Sequence, residues 1–411
     1  MSYYSFVLVC YNNWNLSKQA ITTLINSLDD KYKTKGIELI IVNNGSTDET
    51  GVSIEDLKRL YTAGTIEIIE IRLEENMGYA VGLNIGLART TGRIITIMNN
   101  DLIFTKDWFN GLAEILENNY GVGVAAPYLS YAATIQNLGV LFSSIDEIDN
   151  FAKKFMQNNK EKVSYVDNVI SACVSFRRDM LMLIGGFDFW FGMGMADDTD
   201  WSFRANITGL RIAVVGSSFV YHIGNATFAK IPEITSAAII SNHPKFMIKW
   251  NLKGKENENG LHHSFREVIQ NNTYLREKNY FPTKISEFNL LSEPLLEKKD
   301  NSLRILLAAD WTNIKSQWRT SLQKAISFGK SDKEICLWIP QQYFMENEVG
   351  AEVKKIVGPL DWAAIKLLYN NISPVDLLRF LRSFDVIVSV EDDYVNRYII
   401  SLAKELNLPV R

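Results

Sequence analysis

The chain has 411 residues, 47% of them hydrophobic and 22% charged. That is globular composition, long enough for two or three domains, and it excludes wholesale disorder. With 43 basic and 47 acidic side chains the net charge is -4, which excludes a general nucleic-acid binder.

The first element is read at Phe6 to Cys10, an apolar run that stops at "YNNWN". It follows no basic segment, so the N-terminus reads as a strand and not as a signal peptide. From Leu16, the residues Ala20, Ile21, Leu24, Ile25 and Leu28 recur at helical spacing. "ELIIV" (38–42) is a second buried strand, stopped by "NNGSTDET". "TIEIIEI" (65–71) is a third, and "NMGYAVGLNIGLART" (76–90) is a glycine-rich turn entering a helix. "RIITIM" (93–98) is a fourth strand, ending in Asn99, Asn100 and Asp101. Strand and helix in alternation imply an α/β fold with a parallel sheet and covering helices. In such sheets ligands bind beyond the carboxyl ends of the strands. Three polar clusters would then share one edge: Tyr11 to Asn13, Asn43 to Asp48, and Asn99 to Asp101.

Further on, "GVGVAAPYL" (121–129) and "VDNVISACVSF" (166–176) read as strands, and "RRDMLMLIGGFD" as a short helix ended by Gly185 and Gly186. "DDTDWSFRANITG" is a helix whose acidic first turn suits the positive end of its dipole. "LRIAVVGSSFVYHIG" is a final strand or pair. The expected domains are 1–250, a linker or helical connection over 251–300, and a smaller Rossmann-like unit over 301–411. That last unit opens with "LRILLAADW", continues through "EICLWIP" and a helical stretch near 361–382, and closes with "FDVIVSV" and a helix before "NLPV". Cys10, Cys173 and Cys336 are odd in number and far apart, which suggests a reducing cytosol instead of a disulfide framework. No stretch approaches the ~20 apolar residues that span a bilayer; peripheral contact with a membrane stays open.

Four constellations bear on the chemistry. Asn99, Asn100 and Asp101 suit either a turn or a hard-cation site, because Mg²⁺ and Mn²⁺ take oxygen ligands, often one or two carboxylates plus substrate phosphates. Asp197, Asp198 and Asp200 crowd into four residues. They are either a solvated helix start or a repelling cluster with a carboxyl tuned toward a base. His222 follows an apolar strand and is either a packed residue or a partner of Asp101 at a cation. Gly78, Gly82 and Gly86 fit close helix packing, or a crevice beside a nucleotide faced by Asn76 and Asn84; they match neither a dinucleotide fingerprint nor a phosphate loop.

In this order the motifs "FVLVCYNN", "ELIIVNNGSTDET", "ENMGYAVGLNIGLARTTGRIITIMNND", "LIGGFD", "ADDTDWSFRANITG" and "VYHIG" resemble the family-2 glycosyltransferases of GT-A fold, over residues 4–250. The resemblance implies a mostly parallel sheet flanked by helices and an inverting transfer of a sugar from a nucleoside-diphosphate sugar, UDP- or dTDP-linked. The acceptor would be a glycan, a lipid-linked glycan or a protein. It implies that Tyr11, Asn12, Asn43 and Asn44 line a nucleoside pocket, with Asn76, Asn84 and Asn100 nearby and Asp188 by the sugar. Asp101 and His222 would hold Mn²⁺ or Mg²⁺. Asp198 would be the general base, preceded by Asp197. Asn99 stands where the family carries an acid, and no acid follows "GGFD" where one is often found. The segment "LRSFDVIVSVEDDYVNRYIISLAKELNLPV" is similar to the close of a GT-B domain, with Glu391 at the nucleotide-sugar position. The setting expected for such an enzyme is cytoplasmic, at the inner face of the membrane, in surface polysaccharide or glycoprotein synthesis. A nucleotidyltransferase and a non-catalytic nucleotide- or carbohydrate-binding module are the alternatives.

Overall fold

The computed structural model describes residues 3–61, 66–188, 191, 194–224, 242, 246, 250, 294–296, 302–311, 316–328, 333–339, 346–357, 362–369, 380–391 and 393–411. Those up to Phe246 pack as one compact unit, and those from 294 onward as another. The expected connection over 251–300 lies outside the described residues apart from 294–296.

The first unit begins with β1 (Tyr4–Cys10), α1 (Trp14–Ser27), α2 (Asp30–Lys33), β2 (Ile37–Asn43), α3 (Thr50–Tyr61), β3 (Ile66–Arg72), α4 (Tyr79–Arg89) and β4 (Ile94–Met98). It continues through β5 (Leu102–Phe104), α5 (Asn110–Asn118), β6 (Val122–Leu129), α6 (Ile145–Asn158), β7 (Val163–Val166) and β8 (Cys173–Arg177). The helices α7 (Arg178–Ile184) and α8 (Asp197–Ile207) and the strand β9 (Arg211–His222) complete it. Among the described residues nine strands form one sheet, ordered β3-β2-β1-β4-β8-β6-β9-β5, with β7 beside β9. β3, β2, β1 and β4 are parallel neighbours. β8 runs antiparallel to β4 and β6. This is the mixed but mostly parallel α/β sheet with flanking helices that the GT-A resemblance implies.

The strands form because their residues are buried on both faces. Every residue of β1 and of β2 is buried, as the unbroken apolar runs require of a sheet covered by helices. Helix α4 lies close against β1 and β2 because it carries glycines: a Cβ at Gly86 would stand 2.5 Å from Val7 Cγ1 and 3.0 Å from Val42 Cγ2. On the opposite side of the site, α6 is fastened by a capping box. Ser144 accepts from Glu147 N at 3.3 Å, and Glu147 reaches back to Ser143 N at 2.9 Å.

Two expectations need correction. Only Cys173–Arg177 of the 166–176 run continues as a strand beyond Val166. Between them the backbone takes side-chain partners in place of a ladder: Val169 N donates to Ser202 Oγ and Ile170 N to Gln136 Oε1, at 3.3 and 2.7 Å. In the second unit, Ile365–Leu368 falls in the stretch read as helical near 361–382, yet it is a strand parallel to its neighbour. Four residues, Ile-Lys-Leu-Leu, are too few to show a period by which to tell the two apart. The "final strand or pair" is one long strand, β9, with a register shift opposite Pro127 and Tyr128.

The second unit contains β10 (Leu303–Ala308), α9 (Trp318–Ser327), β11 (Lys333–Trp338), α10 (Glu346–Ile356), β12 (Ile365–Leu368), β13 (Val386–Ile387) and α11 (Tyr394–Glu405). Among the described residues its four strands are all parallel, in the order β12-β11-β10-β13. Trp311, Trp318 and Trp338 are buried inside this unit. Cys10, Cys173 and Cys336 are each buried and unpaired as disulfides. Among the described residues no helix is long and apolar enough to cross a membrane.

The glycine packing yields a stability test. Gly86→Ala gains about 1 kcal/mol of helix propensity but overpacks a site where typical costs are about 1–3 kcal/mol. We expect a net loss near 1 kcal/mol, measured by urea unfolding against the native chain.

Candidate active site

Parallel pairing of β1 with β2 and with β4 brings the three polar strand ends to one edge, as the alternating elements required. The asparagines there build the edge itself. Asn12 and Asn13 both sit in the left-handed region, at φ 51° and 55°, which Asn tolerates better than other side-chain-bearing residues. Asn12 Oδ1 accepts from the Thr47 and Asp48 amides at 2.8 and 3.3 Å, and its own N–H donates to Ser46 Oγ at 2.9 Å. Asn43 Oδ1 caps Ser46 N at 3.0 Å. Asn44 is buried and fully engaged. Its amide donates to Asn76 Oδ1 and Gly78 O at 3.1 and 3.0 Å, and its oxygen accepts from Met77 N at 2.9 Å. Tyr11 remains partly exposed beside them.

Asn84 is wholly buried in α4 and exchanges two hydrogen bonds with the Phe187 backbone, at 2.7 and 2.8 Å. This anchors the turn that carries Asp188, itself buried. Phe187 stacks on Trp201 with ring centroids 5.4 Å apart, and Trp201 Nε1 donates to Gly185 O at 3.2 Å. Arg204 completes the clamp: it pairs with Asp200 at 3.0 Å and donates to the Ile184 and Gly186 carbonyls. Asp200 is therefore the partner of a buried guanidinium, while Asp197 and Asp198 lie one turn earlier. Asn100 reaches sideways to Ser17 Oγ on α1 at 3.0 Å.

The acid pair has unusual electrostatics. Asp197 is buried and its carboxyl is pushed up to about 7, first by burial and then by the charge of Asp198. Asp198 is also raised, mainly by burial, but amide donors from Thr199 and Ser171 favour its anion; the Thr199 bond is 2.8 Å. One proton on Asp197 and a charge on Asp198 is the distribution these partners favour. The backbone entering α8 is left-handed at two non-glycine residues, Met195 (φ 75°) and Ala196 (φ 71°), the kind of strain that functional segments store. Asn242 holds that segment by donating to the Phe191 and Gly194 carbonyls at 2.6 and 2.7 Å.

At the other end of the edge, Leu102 pairs with His222, which sets Asp101 against the imidazole. Asp101 is buried, and its Oδ1 has no hydrogen-bond partner among the described residues. The nearest group is His222 Nε2 at 3.4 Å, longer than a good N–H···O bond. Burial lowers the His222 pKa, but the Asp101 carboxylate and the Tyr131 carbonyl outweigh it and the net direction is upward. A buried carboxylate oxygen without a donor, facing an imidazole nitrogen, fits a cation that takes oxygen and nitrogen ligands. Among the described residues no three His, Cys, Asp or Glu side chains gather as a closed metal cage. An open site completed by phosphate oxygens is the arrangement this donor set allows.

Tyr79 and Ser171 connect the two ends, and the reading of separate motifs missed both. The Ser171 backbone N–H favours the Asp198 anion, and Ser171 O accepts from Tyr79 Oη at 3.3 Å. The next residue, Ala172, accepts from Asn99 N at 2.8 Å. The Tyr79 hydroxyl is raised by burial and then by the charges of Asp197, Asp198 and Asp101, so all three acids act on one phenol. A groove of about 900 Å³ between α5 and α6, lined by Lys106, Glu114, Asp149 and Lys153 among others, shares no residue with this cluster.

Residues 5–184 match the model of Glycosyl transferase family 2. The match covers a little under half of the chain. An uncharacterized glycosyltransferase of Haemophilus influenzae is 22% identical over 329 residues, covering 78% of this chain and 90% of the relative. A poly-beta-1,6-N-acetyl-D-glucosamine synthase of Staphylococcus aureus is 25% identical over 209 residues, 51% of this chain; the chain spans 47%, about half, of that relative. Among solved structures, a mannosyltransferase from Pyrobaculum calidifontis in complex with GDP-Man and Mn²⁺ superposes with a TM-score of 0.44 at 16% identity, covering 66% of this chain and 69% of that one. S. aureus TarS 1-349 gives 0.40 at 16%, covering 58% and 65%.

The acid pair generates a pH prediction. The folded chain holds a proton at Asp197 up to about 7, whereas an ordinary aspartate releases it near 3.8. Stability from this source is full below the lower value and is lost as pH rises through the upper one. Asp197→Asn removes that loss. The variant should match the native chain near pH 4 and exceed it at pH 8 by at least about 1.4 kcal/mol, the worth of a tenfold change in proton affinity. Urea unfolding at the two pH values measures it.

Proposed function

We propose that the first unit is an inverting glycosyltransferase that moves a sugar from a nucleoside-diphosphate sugar to an acceptor hydroxyl. The observation that carries the reading is the pairing, along one sheet edge, of a hydrogen-bonded carboxylate at Asp198 with an unpartnered carboxylate oxygen at Asp101. Asp198 takes the proton of the acceptor hydroxyl. The acceptor oxygen bonds to the anomeric carbon as the bond to the diphosphate breaks, and the electron pair leaves on the diphosphate. Asp197, protonated, carries no charge to compete for that proton, and the Thr199 amide aims Asp198. A divalent cation, Mn²⁺ or Mg²⁺, held by Asp101 and His222 would supply neutralisation of the diphosphate charge.

Tyr11, Asn12 and Asn43 are assigned to the nucleoside side of the site, and Asp188 to the sugar. Asn44, Asn76 and Asn84 act by shaping the turns beneath them, and Asn100 by fixing the loop to α1. The Staphylococcus relative is named as a synthase of poly-β-1,6-N-acetylglucosamine, which supports a glycan acceptor and a role in polysaccharide synthesis. The second unit is assigned an accessory role in acceptor recognition or assembly, and the enzyme a cytoplasmic setting at the inner face of the membrane.

Two measurements test this. Asp198→Asn should lower turnover by at least about 10²–10⁴-fold, the worth of a general base, while a nucleotide sugar still raises its melting temperature. Near-native turnover would remove Asp198 from the role. A panel of nucleotide sugars, with and without Mn²⁺, should stabilise the native chain selectively, by about 2.7 kcal/mol at a hundred times Kd. Slow Mn²⁺-stimulated hydrolysis of the best donor would separate an enzyme from a binding module.

A further inference from the structure

We propose that Ser130 and Tyr131, just beyond the end of β6, form a strap that presets His222 as a cation ligand. The inference rests on the cation reading of Asp101 and His222 given above. It concerns residues that no sequence motif singles out.

The strap is made by hydrogen bonds on both sides of one residue. Ser130 is buried, and its hydroxyl donates to His222 O at 2.9 Å and accepts from His222 N at 2.8 Å. A hydroxyl has one hydrogen and two lone pairs, so both bonds form at once. One residue further on, the Tyr131 carbonyl lies 2.9 Å from His222 Nδ1. A carbonyl only accepts, so the hydrogen must sit on Nδ1. In the neutral ring Nε2 then presents its lone pair to Asp101 Oδ1, the buried oxygen without a hydrogen-bond partner among the described residues. In the neutral ring two electron pairs thus face each other at 3.4 Å, the donor set of a cation site; in the protonated ring Nε2–H faces the carboxylate instead.

Tyr131 is held from its far side too. Gly224, two residues past His222, has φ +72°, and a Cβ there would stand 2.7 Å from Tyr131 Cδ1. The Tyr131 ring lies against the imidazole with centroids 6.3 Å apart. The pairing of β6 with β9, which joins Leu129 to Val220, delivers the strap to this place. Ser130 and Tyr131 are thus positioning residues. They set which nitrogen of His222 carries hydrogen and where the other points, as outer-shell groups do at metal-binding histidines.

The test uses the full chain and Mn²⁺ alone, with binding followed by loss of the free-ion EPR signal. Ser130→Ala and Gly224→Ala should each weaken Mn²⁺ by about tenfold to a hundredfold, the range for lost outer-shell partners. The two variants act from different elements, so one that fails to fold leaves the other to decide. A cation-free readout accompanies them: ¹⁵N NMR of the imidazoles, with His222 assigned by its absence in His222→Ala, should place the hydrogen of the neutral ring on Nδ1. If His222→Ala loses Mn²⁺ while both strap variants bind within twofold of native, the strap is overturned and the cation reading stands. A hydrogen found on Nε2 also overturns the strap. If the native chain takes up no Mn²⁺, or His222→Ala binds as well as native, the cation reading fails and the strap with it.

Discussion

Polar groups at the end of a strand buried on both faces have to find partners, and this constraint organises the first unit. β1, β2 and β4 run parallel, so their carboxyl ends, with unfinished backbone groups, come to one edge. Asn12, Asn43 and Asn44 meet those groups from their side chains and so hold the turns of the edge in place. Orphaned buried donors are costly, which is why amides serve here better than apolar residues. The edge is consequently a rigid polar rim and not a set of loose loops.

On that rim the chemistry divides by charge. Asp200 is neutralised by a buried arginine, Asp197 by a proton, and Asp198 by amide donors. Three neighbouring carboxylates thus occupy three electrostatic states, and Asp198 is the one whose partners favour the anion without a proton or a counter-charge. Asp101 stands apart from all three remedies, because its Oδ1 has no hydrogen-bond partner among the described residues. Ser171 and Tyr79 tie the two regions together through backbone and phenol contacts. The Asp198 and Asp101 regions are thus linked through the Tyr79–Ser171 bond and the Asn99–Ala172 backbone bond.

The second unit repeats the strand–helix grammar with a different interior. Its edge is closed by side chains: Asp393 is buried and accepts from Ser316 and from the Asp310 amide, and Asn396 donates to the Ala308 and Val388 carbonyls. The buried acid Asp393 is thus hydrogen-bonded within this unit.

Much of this was determined by local sequence. Short, mostly apolar runs that end in polar clusters rich in Asn define β1, β2 and β4, and glycine-rich spacing places α4, because burial and turn chemistry act within a few residues. Short elements were not legible. Ile365–Leu368 has no period to separate strand from helix, and its state is decided by pairing with β11. Nor could sequence show that Asn44 and Asn84 are engaged inside the protein, since their partners lie 32 to 34 and 103 residues away. The sequence by itself determined which residue types could accept a proton or hold a cation. Only the tertiary structure decided which carboxylate is neutralised, which is hydrogen-bonded and which is left without a donor, because burial and long-range contacts, not residue type, determine proton affinity.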